Sequence, residues 1–300
     1  MNPNRILVII VTYNAMPWAE RCFNSLRNST IPCDVLAIDN GSTDGSQDYI
    51  HSHFPEVKLI KNKENLGFGR ANNIGLQKAL DDNYEYAYLL NQDAWVLPDT
   101  FEKLVAVSEA HPEYGVLSPM QLKADGIHFE ERFGRNVITR RQIFPPYLIE
   151  DVFFHRVKEV YEVSFVMAAH WLITSKCLST VGGFSPTFPH YGEDDNYLNR
   201  TNYWKFKIGI VPISHAIHDR KDSSWSPEKD MYVNDYIGTL VLCSNPIGKE
   251  SLRKKGFLLL KRGIRNRELG LIKYAFRLWK TSSNTEANYK RSLKKKAFLR

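Results

Sequence analysis

At 300 residues, 43% of them hydrophobic, the chain is long enough to bury a sizeable core as one large domain or one domain with an appendage. Its longest apolar run near the start, Ile6 to Val11, falls far short of the roughly 18 residues of a membrane span and no signal-peptide pattern surrounds it, so the expectation is a cytoplasmic protein. The net charge of +7 is unevenly placed: 17 Lys and Arg against three acidic residues lie from Lys249 to Arg300, which leaves −7 on residues 1–248, argues against nucleic acid as a partner and reserves the basic tail for an anionic membrane surface or a solvated end.

Through the first 120 residues, short apolar runs alternate with longer amphipathic ones. Arg5 to Val11, Val35 to Asp39, Val57 to Lys61 and Tyr86 to Leu90 read as buried parallel strands, because they are short, apolar and bounded by turn residues. Ala19 to Asn28, Ser46 to His53, Phe68 to Leu80 and Thr100 to Ala110 read as the helices between them, which predicts an α/β fold with a doubly wound, mainly parallel sheet. Ligands of such sheets sit beyond the carboxyl ends of the strands. The residues there are polar: Thr12-Tyr13-Asn14, then Asp39 through Ser46, then Asn65-Leu66-Gly67-Phe68-Gly69, then Asn91-Gln92-Asp93. Asp39 suits two roles equally, accepting the imide N–H of a uracil or thymine ring or anchoring the turn that follows it. Gly67 and Gly69 allow close backbone approach at a helix start, where unpaired N–H groups favour phosphate, and they equally suit a plain helix-entry turn.

In order and spacing, Val11-Thr12-Tyr13-Asn14, Asp39-Asn40-Gly41-Ser42-Thr43-Asp44, the Asn65, Gly67, Phe68, Asn72 and Gly75 series, and Leu90-Asn91-Gln92-Asp93-Ala94 resemble the family 2 glycosyltransferases of GT-A fold, in particular their rhamnosyltransferase-like branch. The resemblance spans about the first 220 residues. It implies an inverting transfer of a sugar from a dTDP- or UDP-linked donor, rhamnose being the branch's suggestion, to a hydroxyl of a glycan or lipid-linked acceptor in cell-surface polysaccharide synthesis. It assigns Thr12, Tyr13, Asn14, Asp39, Asn65, Gly67, Arg70, Asn91 and Gln92 to the nucleotide sugar. Asp93, the last residue of a variant metal motif, and His218, after the apolar run Ile208 to Ile213, become ligands of Mg²⁺ or Mn²⁺; on its own, His218 also reads as a loop histidine beside Asp219 and Arg220. Only one carboxylate stands in the metal motif, so the ion must draw further oxygens from diphosphate and water.

Gly192-Glu193-Asp194-Asp195-Asn196 is by itself a helix N-terminus that gathers negative charge. With the preceding Val181 to Tyr191 it resembles the family's catalytic stretch, and the resemblance makes Asp194 the general base and Glu193 its orienting neighbour, with Arg200 downstream. Asn196 departs from the aspartate usual there. Consecutive residues at a helix start point about 100° apart, so one carboxylate of the three faces a reacting centre.

The stretch 123–175 reads as a polar loop carrying Arg132, Arg135, Arg140, Arg141, Phe153, Phe154 and His155, followed by an apolar strand, Val163 to Thr174. It is read as acceptor-facing, with His170 and Trp171 on its floor or in the core. Beyond Ser223 come two long helical patterns, Glu228 to Cys243 and Gly256 to Lys280, and a frayed end from Thr281. The second pattern sets an apolar stripe between Lys and Arg, which lies at a membrane interface peripherally or packs on the main domain. The organisation expected is therefore a GT-A domain at 1–222, with a nucleotide-sugar half at 1–120 and an acceptor and catalytic half at 121–222, and a basic helical extension at 223–300. Cys22, Cys33, Cys177 and Cys243 lack C-x-x-C spacing and read as reduced packing residues. Two other classes are weighed against the transferase. A nucleotidyltransferase needs a Gly-rich basic loop after the first strand, which Thr12-Tyr13-Asn14-Ala15 is not; a non-catalytic sugar-nucleotide binder fits the sparse metal motif.

Overall fold

The computed structural model describes residues 6–135, 147–188, 191–220, 227–248 and 250–300, with the side chains of 227–235 left aside. Its first half follows the alternation in the sequence: β1 (Ile6–Thr12), α1 (Ala19–Arg27), β2 (Cys33–Asp39), α2 (Ser46–His53), β3 (Lys58–Lys61), α3 (Phe68–Asp81), β4 (Tyr86–Asn91), β5 (Ala94–Val96), α4 (Thr100–Ala110) and β6 (Tyr114–Leu122). β1 is apolar on both faces because both are covered. Ile6, Val8 and Ile10 pack with Phe23, Ile50 and Phe101 under α1, α2 and α4, while Leu7 and Ile9 pack with Ala71 and Leu76 of α3 on the other face.

The second half adds α5 (Glu131–Phe133), α6 (Leu148–Phe153), β7 (Tyr161–Glu162), β8 (His170–Thr174), α7 (Ser175–Val181), α8 (Glu193–Tyr203) and β9 (Lys207–His218). The strands form one sheet in the order β3-β2-β1-β4-β8-β6-β9-β5, with β7 on β9. β1 to β4 run parallel, as do β6 and β9, while β8, β5 and β7 are antiparallel to their neighbours. The apolar run from Val163 is a strand only from His170. There His170 faces Leu90; before it, Ala169 and Val163 make backbone bonds to Asn91 and Ile208, but no continuous ladder forms. His170 and Trp171 are both fully buried core residues. Arg140 and Arg141 lie outside the described residues.

The C-terminal region is α9 (Pro227–Ser244), α10 (Leu252–Asn266) and α11 (Leu269–Ser292). Where one helix was expected over Gly256 to Lys280 there is a hairpin, reversed at Arg267 in the left-handed conformation (φ 57°). Both arms carry the same basic amphipathic pattern, so the period runs through the reversal unmarked. The expected frayed end is also overturned. α11 continues to Ser292, and Ala297, Phe298 and Leu299 are buried, Leu299 within the core on the α3 side of the sheet. The lysine run 294–296 disguises that apolar triplet. Inward residues Tyr274 and Leu278 join Phe188, Tyr236, Leu240, Cys243 and Leu252 in a small cluster of their own. No described helix is long and apolar enough to cross a membrane.

α3 lies so close to β1 that a Cβ on Gly75 would sit 2.5 Å from Ile9 Cγ2. Overpacking of this kind costs about 1–3 kcal/mol. Gly75→Val is therefore expected to lower the unfolding free energy by about that amount, read as a lower midpoint of chemical denaturation at an unchanged denaturant slope; a midpoint within error of the parent protein would show that this contact is not tight.

Candidate active site

Thr12 and Asp39 are register partners at the ends of β1 and β2, and Val11 faces Asn91 near the end of β4, so three loops leave the sheet at one level. Side chains knit them together. Thr12 Oγ1 donates to Asp39 at 2.9 Å, the Asn14 N–H donates to Ser42 Oγ at 2.8 Å, and Asn14 Oδ1 accepts from the Thr43 N–H at 2.9 Å. Between β1 and β4, which run parallel, the strand order reverses, and such a switch point is where these sheets open a crevice. Gln92 spans that gap: its Oε1 accepts from the Tyr13 N–H at 2.7 Å and its Nε2 donates to the Tyr13 carbonyl at 3.1 Å. The Tyr13 ring is left half exposed.

Asp39 is fully buried and accepts from Thr12 Oγ1, the Gly41 and Ser42 N–H groups, Ser42 Oγ and Gln47 Nε2. Burial alone would raise its pKa, but these donors outweigh it and hold the carboxyl below the usual range. Five donors fill the roughly four lone-pair positions of a carboxylate. Of the two roles the sequence offered, the observed one is anchoring the turn. Asn40 extends the same framework, its amide donating to Asn65 Oδ1 at 3.3 Å, while Asn65 Oδ1 also accepts from the Gly67 N–H at 2.8 Å. Gly67, at φ 79°, enters α3, and Arg70 is exposed on that helix's first turn.

Asp93 and His218 meet at the far side of this edge. β5 pairs with β9 so that Ala94 faces His218, and His218 Nε2 lies 3.5 Å from Asp93 Oδ1. His218 is 3% exposed, and neither ring nitrogen has a hydrogen-bond partner among the described residues. Burial works to raise the Asp93 pKa, but His218 and then Arg220 prevail and hold it low, so the carboxylate is ionised. His170, stacked edge-on to His218 at 6.5 Å, is tied up between Tyr88 and the Ile217 carbonyl, and burial pushes it down to about 3.

The α8 carboxylates differ sharply in surroundings. Glu193 is 8% exposed, its Oε2 has no partner among the described residues, and its Cβ lies 4.0 Å from where a Cβ on Gly69 of α3 would be. Burial, and next the Asp194 charge, push it up to about 8, so Glu193 is protonated at neutral pH. Asp194 is partly exposed and accepts from the Asp195 N–H at 2.9 Å. Its pKa is raised by desolvation, which the backbone donors, Arg220 and Arg132 only partly offset. Arg132 also lies over the Tyr191 ring at 5.8 Å. Asn196 and Arg200 point into the core, Arg200 being completely buried. The sequence placed Arg132 on a loop read as acceptor-facing and Arg220 beside His218; nothing in their spacing signals that both bear on the Asp194 carboxylate.

The chain matches the model of the family "Glycosyl transferase family 2" over residues 7–166. It is 24% identical over 238 residues to the N-acetylglucosaminyl-diphospho-decaprenol L-rhamnosyltransferase of Mycobacterium tuberculosis, an alignment covering 72% of this chain and 76% of that relative. Among solved structures it resembles Staphylococcus aureus TarS residues 1–349 in complex with UDP (TM-score 0.55, 16% identity, 81% of this chain and 66% of that one). It also resembles the mannosyltransferase PcManGT of Pyrobaculum calidifontis in complex with GDP-Man and Mn²⁺ (TM-score 0.56, 18% identity, 80% and 62%). At such identities the structural likeness shows the fold, which is GT-A. On the strength of the family model, which covers more than half of its length, the chain belongs to glycosyl transferase family 2 and is a glycosyltransferase.

Proposed function

We propose that this glycosyltransferase inverts configuration at the sugar's anomeric carbon, with the donor held across the ends of β1, β2 and β4 and Asp194 acting as general base. One observation carries the reading: the polar ends of β1, β2 and β4 lie at one level, and Asp93, just beyond β4, stands 3.5 Å from the buried His218. Asp93 and His218 would hold the divalent ion, Mg²⁺ or Mn²⁺. What supports this is a buried imidazole with two unpartnered nitrogens facing an ionised carboxylate, a donor set that leaves the remaining positions to diphosphate oxygens and water. When bound, the ion supplies Lewis-acid neutralisation of the diphosphate charge.

The chain's own groups do the rest. The α3 N-terminus and Arg70 favour the diphosphate, Tyr13 offers a half-exposed ring for the base, and Asn91 a hydrogen bond for the ribose. The acceptor oxygen forms its bond to the anomeric carbon as the bond to diphosphate breaks, and the hydroxyl proton passes to Asp194. Protonated Glu193 leaves the charge of the pair on Asp194, where it is needed. One base and one displacement give inversion. Residues 1–222 carry this machinery and 223–300 a helical appendage. The donor is read as dTDP- or UDP-linked; by analogy with the mycobacterial relative, rhamnose is the first sugar to test, and the acceptor is a hydroxyl of a glycan on a lipid diphosphate, as in cell-surface polysaccharide synthesis.

The appendage suits peripheral contact with an anionic bilayer at the inner face of the membrane. Phe257, Leu258, Ile264, Leu269 and Phe276 are 49% to 71% exposed, and Lys254, Lys261, Arg265, Lys273 and Lys280 recur between them at helical spacing.

Four outcomes are expected. In melting-temperature assays with dTDP-rhamnose and UDP-sugars, Mn²⁺ should raise donor stabilisation of the parent protein and not of Asp93→Ala, whose ligand-free melting temperature stays close to the parent's; a variant that keeps the metal response sinks the ion assignment. Asp194→Asn should bind donor normally yet transfer sugar at least about 10²-fold more slowly. Because Asp194, set among Glu193, Asp195, Arg132 and Arg220, titrates above the ordinary aspartate value, its basic form is lost as pH falls through that raised value. The acid limb of the kcat/KM profile should therefore lie above the ordinary aspartate pKa of about 3.9, and a limb at or below that value contradicts it. Finally, the protein should sediment with phosphatidylglycerol vesicles but not with phosphatidylcholine ones, and the double substitution Phe257→Ser, Phe276→Ser should abolish this; equal binding to both lipids would remove the electrostatic component.

A further inference from the structure

Arg200 is the least expected buried group in the molecule, a guanidinium at 0% exposure with no carboxylate paired to it among the described residues. Its hydrogen bonds go elsewhere. Nη1 donates to the Val181 carbonyl at 2.9 Å, Nη2 to the Gly183 carbonyl, and Nε to Asn196 Oδ1 at 3.2 Å. The cation lies 5.2 Å from the ring centroids of both Tyr197, on its own helix, and Phe298. It thereby ties the end of α7 to α8, the helix bearing Glu193 and Asp194, and Phe298 covers one of its faces.

Residues 296–300 are fastened to the same joint from the outside. The Lys296 N–H donates to the Thr180 carbonyl at 3.1 Å, the Gly183 N–H to the Ala297 carbonyl at 2.8 Å, and the Arg300 N–H to Gln77 Oε1 of α3 at 2.6 Å. The approach is as close as backbones allow: Gly182 takes φ 85°, and a Cβ there would lie 2.1 Å from the Ala297 carbonyl oxygen. From Gly183 the chain continues into Phe184, whose N–H and carbonyl are both held by the Asn73 side chain of α3, at 2.6 and 2.9 Å. Phe184 in turn packs on Phe68, the first residue of α3. Three elements meet here: the helix that opens the donor site, the turn before the catalytic helix, and the catalytic helix itself.

We propose that residues 296–300 act as a positioning clamp, which sets α8 and its carboxylates against α3 through Phe298 on Arg200 and Leu299 in the core. The proposal rests on the reading of Asp194 as the base. Phe298 acts through Arg200: it confines the guanidinium whose two carbonyl contacts tie α8 to the end of α7. A shift of about 1 Å in a catalytic group can lower turnover about 10²-fold without harming binding, so the clamp acts on kcat rather than on donor affinity.

The test is Phe298→Ala, with Phe298→Tyr as the conservative rescue and Asp194→Asn as the control for the base. Amide hydrogen exchange is followed over residues 181–203 in the full chain, beside steady-state transfer from dTDP-rhamnose or whichever nucleotide sugar the stabilisation screen selects. The expected result is exchange at least about tenfold faster at the α7 to α8 joint, kcat down at least about tenfold, donor KM within about twofold of the parent's, and both effects reversed in Phe298→Tyr. Unchanged exchange at the joint overturns the clamp. Faster exchange with parental kcat also overturns its positioning role. In that case, Asp194→Asn tells the two readings apart, because a normal rate there shows that the base was misassigned, and a dead variant shows that only the clamp was. If Phe298→Ala proves too unstable to assay, Phe298→Leu, which removes the aromatic face and keeps most of the volume, should show the same kcat loss; parental kcat in that variant overturns the proposal.

Discussion

Everything at the candidate site depends on the register of β1 between its two parallel neighbours. Thr12 opposite Asp39 and Val11 opposite Asn91 bring two strand ends and the loops beyond them to a single level. A slip of one residue would turn every alternate side chain to the wrong face of the sheet, and both faces of β1 are filled by different helices. Register is thus enforced by two cores at once. The polar framework at the rim then needs no apolar support of its own: Asp39 gathers donors from β1, its own turn and α2, and Gln92 closes the switch point by gripping the Tyr13 backbone from both sides.

This explains which features were legible in the sequence. The first four strands and four helices fall within two residues of their expected spans, because buried strands and helices buried on one face leave distinct periods, although β3, expected to be buried, is an edge strand whose Lys58 and Lys61 are exposed. Asp93 and His218 are 125 residues apart, and their pairing was legible only through resemblance to a family, since it depends on β5 lying antiparallel to β9. Asp39 was ambiguous for a physical reason. A carboxylate at a strand end has the same neighbours in sequence whether it receives a ligand or its own loop, and only the geometry shows five protein donors already on it. The hairpin at Arg267 and the buried triplet Ala297 to Leu299 escaped because each contradicts the composition around it: a reversal inside an unbroken amphipathic period, and apolar residues behind a run of lysines.

The electrostatics of α8 follow from which groups were left unpaired. Glu193 and Arg200 stand seven residues apart, two helical turns, so their Cα atoms lie about 10.5 Å apart along one face. Burial and the Asp194 charge hold the Glu193 carboxyl up, and Arg200 is satisfied locally instead, by two carbonyls and two rings.

A cation placed against Glu193 would favour its ionised form and lower the basicity of both acids. Keeping one proton on the buried acid concentrates the negative charge on the partly exposed one, whose own pKa is raised by desolvation and restrained by Arg132 and Arg220. A general base is most effective when its pKa approaches the working pH, provided it remains ionised there. The arrangement on α8 leaves the inner acid without a counter-ion, while the buried Arg200 on the same helix is held by carbonyls and rings.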